Sequence, residues 1–152
     1  MAKRLFVNLP IKDVNRTRFF FESLGFEFNP QFSDEKALCL VLGDNFYGML
    51  LMEEFFQTFT PKPLSLGKQS TEVLLSLQVD TKEDVHNMIN KAVELGAHEY
   101  APPTDHGFMY LRVFEDLDGH QWEIMYADDS AFPNPEDPSL QGLEINPEDA
   151  PE

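Results

Sequence analysis

The chain has little with which to hold a polyanion. Its 152 residues carry 11 Lys and Arg against 27 Asp and Glu, a net charge of −16. Phosphate backbones are bound by clustered cations, so nucleic acid is excluded as a partner, and an anionic membrane surface with it. Cysteine is nearly absent. Cys39 stands alone, so no disulfide forms within the chain, which fits a reducing, cytoplasmic setting. It lies in the apolar run Ala37-Leu38-Cys39-Leu40-Val41-Leu42, the setting of a buried thiol rather than a nucleophile. No apolar run reaches the roughly 20 residues that span a bilayer, and the N-terminus has no signal-peptide core.

What is present is a core and a repeat. Hydrophobic residues make up 42% of the chain and 14 residues are Phe, enough for one globular domain with a bulky interior. Leu5, Val7, Leu9 and Ile11 alternate with Phe6, Asn8 and Pro10, a strand with an aliphatic and a mixed face. Asp13 is placed to cap a helix over 14–24, with Val14, Thr17, Phe20, Phe21 and Leu24 at helical spacing and Gly25 at its end. Strands over 26–28, 37–42 and 46–52 follow, separated by turn residues. After Ser70 the pattern returns. A strand over 72–79 precedes a helix over 81–95 that ends at Gly96 and is about three residues longer than the first. Strands over 97–100, 107–114 and 120–127 complete the second unit, the last two joined by the turn Asp116-Leu117-Asp118-Gly119.

A period this long means a duplicated domain rather than a solenoid. The fold class is α+β: two βαβββ modules forming a curled mixed sheet around a cleft. Residues 1–127 form one domain, with module one at 3–53, a linker at 54–70 and module two at 71–127. The Phe-rich segment 54–59 reads as a flap over the cleft or a dimer contact. The tail 128–152 is rich in Pro and holds eight acids and no base. Its expected role is to cover apolar surface through Leu140, Leu143 and Ile145.

Three segments together resemble the vicinal oxygen chelate superfamily, which contains glyoxalase I, bleomycin-resistance proteins and extradiol dioxygenases. They are Phe6-Val7-Asn8-Leu9-Pro10-Ile11-Lys12-Asp13, Phe19-Phe20-Phe21-Glu22-Ser23-Leu24-Gly25-Phe26, and Asp116-Leu117-Asp118-Gly119-His120-Gln121-Trp122-Glu123-Ile124. Leu117 stands where that family usually has Pro. The chain looks like a bacterial glyoxalase-like branch, with Phe108-Met109-Tyr110 after His106-Gly107 also fitting. The resemblance implies that the first and last strands of each module supply four ligands to a divalent ion. Here those positions match Phe6, Leu74, Glu53 and Glu123. Phe and Leu offer no lone pair, so no metal site and no cofactor are expected.

Strand alternation puts Asn8 beside Phe6, and Ser76 and Gln78 beside Leu74, on the cleft wall. The expected ligand-binding set is Phe6, Asn8, Glu53, Leu74, Ser76, His106, Tyr110 and Glu123. Glu123 is the candidate catalytic residue, either as a base sharpened by a facing Glu53 or as an ion-paired structural carboxylate. His106 is the histidine placed to reach the cleft mouth, whereas His120 is expected in solvent, and His86 and His98 on structural or surface positions. Phe108, Tyr110 and Arg112 form either a stacking platform for a planar anion or a core stripe with Arg112 paired to an acid. Three functions remain open. One is a metal-independent, bleomycin-resistance-like homodimer that encloses a small organic molecule. The second is a lactoylglutathione-lyase-like or dioxygenase-like enzyme, a lyase or isomerase with a divalent ion at Glu123 and non-standard ligands. The third is a dimeric scaffold without chemistry.

Overall fold

The computed structural model of the protein describes residues 1–131. The anchors Leu140, Leu143 and Ile145 expected for the tail lie outside the described residues. Two βαβββ units are present in an α+β arrangement. The first contains β1 (Leu5–Ile11), α1 (Val14–Ser23), β2 (Glu27–Phe28), β3 (Ala37–Gly43) and β4 (Phe46–Met52). A short helix α2 (Glu53–Gln57) begins the linker. The second contains β5 (Leu74–Gln78), α3 (Lys82–Glu94), β6 (Thr104–Asp105), β7 (Met109–Glu115) and β8 (Gln121–Ala127). Each unit builds a four-stranded mixed sheet, in the orders β1-β4-β3-β2 and β5-β8-β7-β6. The pairs β1–β4 and β5–β8 are parallel and the remainder antiparallel.

The two helices start and bury themselves in the same way. The Asp13 carboxylate accepts the Arg16 N–H at 3.0 Å, and the Thr81 hydroxyl accepts the Asp84 N–H at 3.0 Å. Each satisfies an N–H that the first helical turn would otherwise leave open. Val14, Thr17, Phe20 and Phe21 are the buried stripe of α1, and Val85, Ile89 and Ala92 that of α3. The helix lengths, 10 and 13 residues, carry the difference visible in the sequence. No helix among the described residues is long and apolar enough to cross a membrane.

The core is continuous across the repeat. Phe20 meets Phe114 with ring centroids 6.1 Å apart, and Phe21 meets Trp122 at 5.5 Å. The first helix thus packs against strands of the second sheet, and Leu9, Ile11, Leu38, Leu40, Leu50 and Ile124 join the same cluster. Burying each such large side chain contributes about 1.5–3 kcal/mol.

The turn between β7 and β8 ties the units together. Asp116 is 4% exposed. Its carboxylate accepts the Asp118 N–H at 2.9 Å, the His120 N–H at 3.0 Å and the Trp122 indole N–H at 2.9 Å. Burial pushes its pKa up, with the His120 charge and these donors opposing. The turn so fixed reaches back to β1. Asp118 accepts the Lys12 N–H at 3.0 Å, and the His120 Nε2 lies 2.6 Å from the Pro10 carbonyl oxygen. His120 is therefore half-buried at the junction rather than solvated, because the turn docks on the edge of the first sheet. Above it the linker crosses at Gly67. A Cβ on Gly119 would stand 2.6 Å from Gly67 C and from Lys68 N, and Gly119 has φ +83°.

One expected strand is absent. The segment 97–100 forms only a single bridge, His98 to Glu115, and the short strand comes later, at Thr104–Asp105. Pro102 and Pro103, one residue beyond the segment, have no N–H to extend a ladder.

Candidate functional site

The register defines one face on each sheet turned away from α1 and α3. In β1 the core takes Leu9 and Ile11, so Phe6, Asn8 and Pro10 occupy the other face. Across from them on β4 stand Tyr47, Met49 and Leu51. In β8 the core takes Trp122 and Ile124, leaving Gln121, Glu123 and Met125 opposite Leu74, Ser76 and Gln78 of β5. Of the residues expected at the cleft, Phe6, Asn8, Leu74, Ser76 and Glu123 hold such positions.

The second sheet carries the polar chemistry. The Ser76 hydroxyl donates to Glu123 Oε2 at 2.5 Å. Tyr100, which the sequence reading missed, stands close enough that the Glu123 and Glu115 carboxylates act on its phenol. Burial raises its pKa first, and the two carboxylates raise it further. The Glu123 carboxylate, oriented by the Ser76 hydroxyl, therefore lies within electrostatic reach of a phenol that keeps its proton. On the first sheet Phe6 stacks on Tyr47, with centroids 5.0 Å and planes 17° apart. Phe6 and Leu74 are 50% and 52% exposed.

A cavity of about 570 Å³ lies between β1, the linker and the start of β8. Asn8 and Gln121, from different sheets, share its wall with Phe56, Lys62 and Glu72. Phe56 belongs to α2, so the Phe-rich segment lies along the cleft side of β1.

Three expected members lie elsewhere. Glu53 is the first residue of α2 rather than the last of β4, and Lys12 Nζ holds its carboxylate at 2.9 Å. By register the module-one counterpart of Glu123 is Met49. Met49 stands opposite Asn8 as Glu123 stands opposite Ser76. His106 is exposed in the β6–β7 hairpin, with its N–H on the Met109 carbonyl. Met109 and Val113, the residue across from Glu123, are four residues apart on β7, roughly 13 Å. Tyr110 faces α3 instead. It is 9% exposed, its ring centroid is 5.1 Å from that of His86, and Lys82 Nζ lies 5.3 Å above it. Arg112 shares that face and forms a two-pronged pair with Glu99, both N···O distances 2.8 Å, plus a bond to Asn90 at 3.0 Å. Tyr110 is thus core and Arg112 is paired to an acid, whereas Phe108, the third member of the expected stripe, is exposed. Cys39 is 1% exposed and burial raises its thiol pKa.

Residues 4–124 match the Glyoxalase/Bleomycin resistance protein/Dioxygenase superfamily. The chain belongs to that superfamily. Solved structures agree on the fold. The hypothetical protein SA1046 from S. aureus is 29% identical, with a TM-score of 0.71, covering 84% of this chain and 95% of that one. A glyoxalase/bleomycin resistance protein/dioxygenase family enzyme from Burkholderia phytofirmans PsJN is 19% identical, with a TM-score of 0.69 and coverages of 84% and 100%. The fosfomycin resistance protein FosX from Listeria monocytogenes, solved with Mn(II) and sulfate, is 19% identical, with a TM-score of 0.62 and coverages of 86% and 94%. A search of curated proteins finds no match.

The residues present do not fit the divalent ion that the superfamily resemblance implies. Among the four corresponding strand positions, Phe6 and Leu74 have no donor atom, Met49 has only a soft thioether, and Glu123 alone offers oxygen. Among the described residues no three His, Cys, Asp or Glu side chains converge. A hard cation takes six or more oxygens and a zinc site at least three protein ligands.

Proposed function

We propose that the protein binds a small organic molecule across these two sheet faces without the superfamily's metal. The observation that carries this reading is the pairing of Ser76 with Glu123 where the other three strand positions are apolar or a thioether. A ligand with one polar end would meet Glu123, Ser76 and Tyr100. Its apolar body would lie on Phe6, Tyr47, Met49 and Leu74. Few directed hydrogen bonds against apolar walls is the usual composition of a small-molecule site. The polar end is expected to be a donor, such as an amine or hydroxyl, because Glu123 presents an acceptor.

The reading includes a second copy of the chain. Leu5, Phe6, Phe46 and Leu74 are each at least half exposed. A two-fold partner would bury that surface and shut the ligand from water. Mn(II) in the Listeria FosX structure marks what this chain would lack.

Elemental analysis after dialysis, followed by thermal-shift screening with small amines, alcohols and thiol conjugates, tests the proposal. The expected result is no stoichiometric Zn, Ni or Mn, together with a melting shift that Glu123→Gln abolishes. A stoichiometric transition metal, or a shift indifferent to Glu123, would overturn it. Light scattering at micromolar concentration tests the dimer.

A further inference from the structure

The bridge between His98 and Glu115 orders a row of side chains on the cleft face of the second sheet. The His98 N–H donates to the Glu115 carbonyl at 3.0 Å, and the Glu115 N–H to the His98 carbonyl at 2.7 Å. Residues opposite one another in an antiparallel pair share a face, and the face recurs every second residue. Two residues on from His98, Tyr100 comes level with Val113. Val113 stands across from Glu123, and Glu123 across from Ser76. Glu115 is on the same face of β7, diagonal to Glu123. Diagonal neighbours are about 7–8 Å apart, within reach of long side chains. The charges of Glu123 and Glu115 both act on the Tyr100 phenol, as this row requires. Val113 is 7% exposed. It floors a notch rimmed by three oxygen-bearing side chains, Glu115, Glu123 and Tyr100.

Packing does not ask for this rim. At the matching registers of the first sheet, Val41 stands where Glu115 does and Met49 where Glu123 does. Like charges on neighbouring strands repel, and both carboxylates are half-buried. Among the described residues neither is in an ion pair, because the pairs found there join other residues. A local rule broken with no gain in packing marks a functional position.

The rim's chemistry selects a cation. A carboxylate only accepts. Ser76 occupies Glu123 Oε2 and leaves Oε1 open. The Tyr100 hydroxyl has no hydrogen-bond partner among the described residues, so its oxygen accepts too. An ammonium group brings three donors, no acceptor and a positive charge. It meets all three oxygens and turns the repulsion between the two acids into attraction. A ligand hydroxyl brings one donor and leaves the repulsion in place. The net charge of −16 also draws cations toward the cleft.

We infer that the site takes a protonated primary amine, its ammonium group held over Val113 by Glu115, Glu123 and the Tyr100 oxygen. The inference rests on the ligand reading for where the molecule lies, and adds its charge and the role of Glu115.

Calorimetric titration at neutral pH with phenethylamine and with phenethyl alcohol, which differ only at the polar end, tests it. The amine is expected to bind at least about tenfold more tightly than the alcohol. Glu115→Gln should weaken the amine about tenfold and the alcohol less than about threefold. Without ligand, Glu115→Gln should raise the melting temperature by about 1–3 °C, since it ends the repulsion. Equal affinity for the two probes, an amine indifferent to Glu115→Gln, or a melting temperature lowered by that change would each refute the inference. Weakening of both probes by Glu123→Gln alone would reject the amine class and leave the binding site standing. No binding of either probe at millimolar concentration, or binding indifferent to both glutamates, would reject the site as well.

Discussion

The two modules share a backbone and differ in what they do with it. Asn8 faces Met49 across β1 and β4, and Ser76 faces Glu123 across β5 and β8, at matching registers. The first pair is an amide and a thioether, whereas the second is a hydrogen-bonded hydroxyl and carboxylate. The hairpin turns differ as sharply. Asp44 and Asn45 of the β3–β4 turn are exposed, whereas Asp116 and Asp118 of the β7–β8 turn are buried. The repeat has therefore kept the hydrophobic pattern that packing demands and specialised the second half. That half holds both the polar end of the candidate site and the clasp joining the sheets.

The clasp gives the largest expected effects. Asp116→Ala would leave two backbone N–H groups and the Trp122 indole N–H buried without an acceptor. Such groups cost about 1–3 kcal/mol each, so a loss of about 2–4 kcal/mol is expected after partial relaxation. The matched change Asp44→Ala, on the exposed turn, should stay within about 0.5 kcal/mol. Urea denaturation of the two variants reads the contrast, and equal effects would mean that the second turn is no clasp. Next comes Gly119→Ala, expected to cost about 1–3 kcal/mol, because φ is +83° and the new Cβ meets backbone at 2.6 Å. In the first module Gly43→Ala meets only the Phe46 side chain, at 3.2 Å, which can turn aside.

How much of this was legible follows from range. Both helices, their caps and their length difference were readable, because Asp13, Thr81 and the apolar stripes act within a few residues. Glu53 was misplaced because strand and helix meet there without a break. Glu53 and Glu54 open α2, where acids favour a helix start, and only the register shows that Met49 matches Glu123. Tyr100 and His120 were missed for a different reason. Their roles arise where a loop meets a sheet face and where one sheet docks on another, and no local pattern encodes either. The strand expected at 97–100 stops at His98 because Pro102 and Pro103 follow.

The candidate site should show the same asymmetry between modules. Glu123→Gln removes the charge that would anchor a ligand's donor and is expected to weaken binding about tenfold, near 1.4 kcal/mol. Met49→Leu, at the matching register in module one, keeps apolar volume and should change affinity less than threefold, well below 1 kcal/mol. Calorimetric titration of a ligand found by thermal shift compares them. Equal losses would place the ligand's polar end in both modules.

The smallest effect separates the modules by pH. Among the described residues only the second sheet carries a two-pronged ion pair under its helix, Arg112 with Glu99. The Arg112 hydrogen bonds hold the Glu99 pKa below its ordinary value, against the opposing effect of burial. A depressed folded pKa gives stability that is complete above the unfolded value, near 4.3 for Glu, and is lost as pH falls through the folded value. Arg112→Leu removes that term and also the bond to Asn90. The stability gap between wild type and variant should therefore be flat above about pH 5 and narrow below about pH 4. The narrowing should amount to about 1 kcal/mol, as for a charge-assisted pair partly open to water. Asp116 titrates in the opposite sense, because burial raises its pKa, but it is present in both proteins and cancels in the difference. Urea unfolding between pH 3 and 6 measures the gap. A gap that stays constant down to pH 3 would mean that Arg112 holds α3 by packing alone.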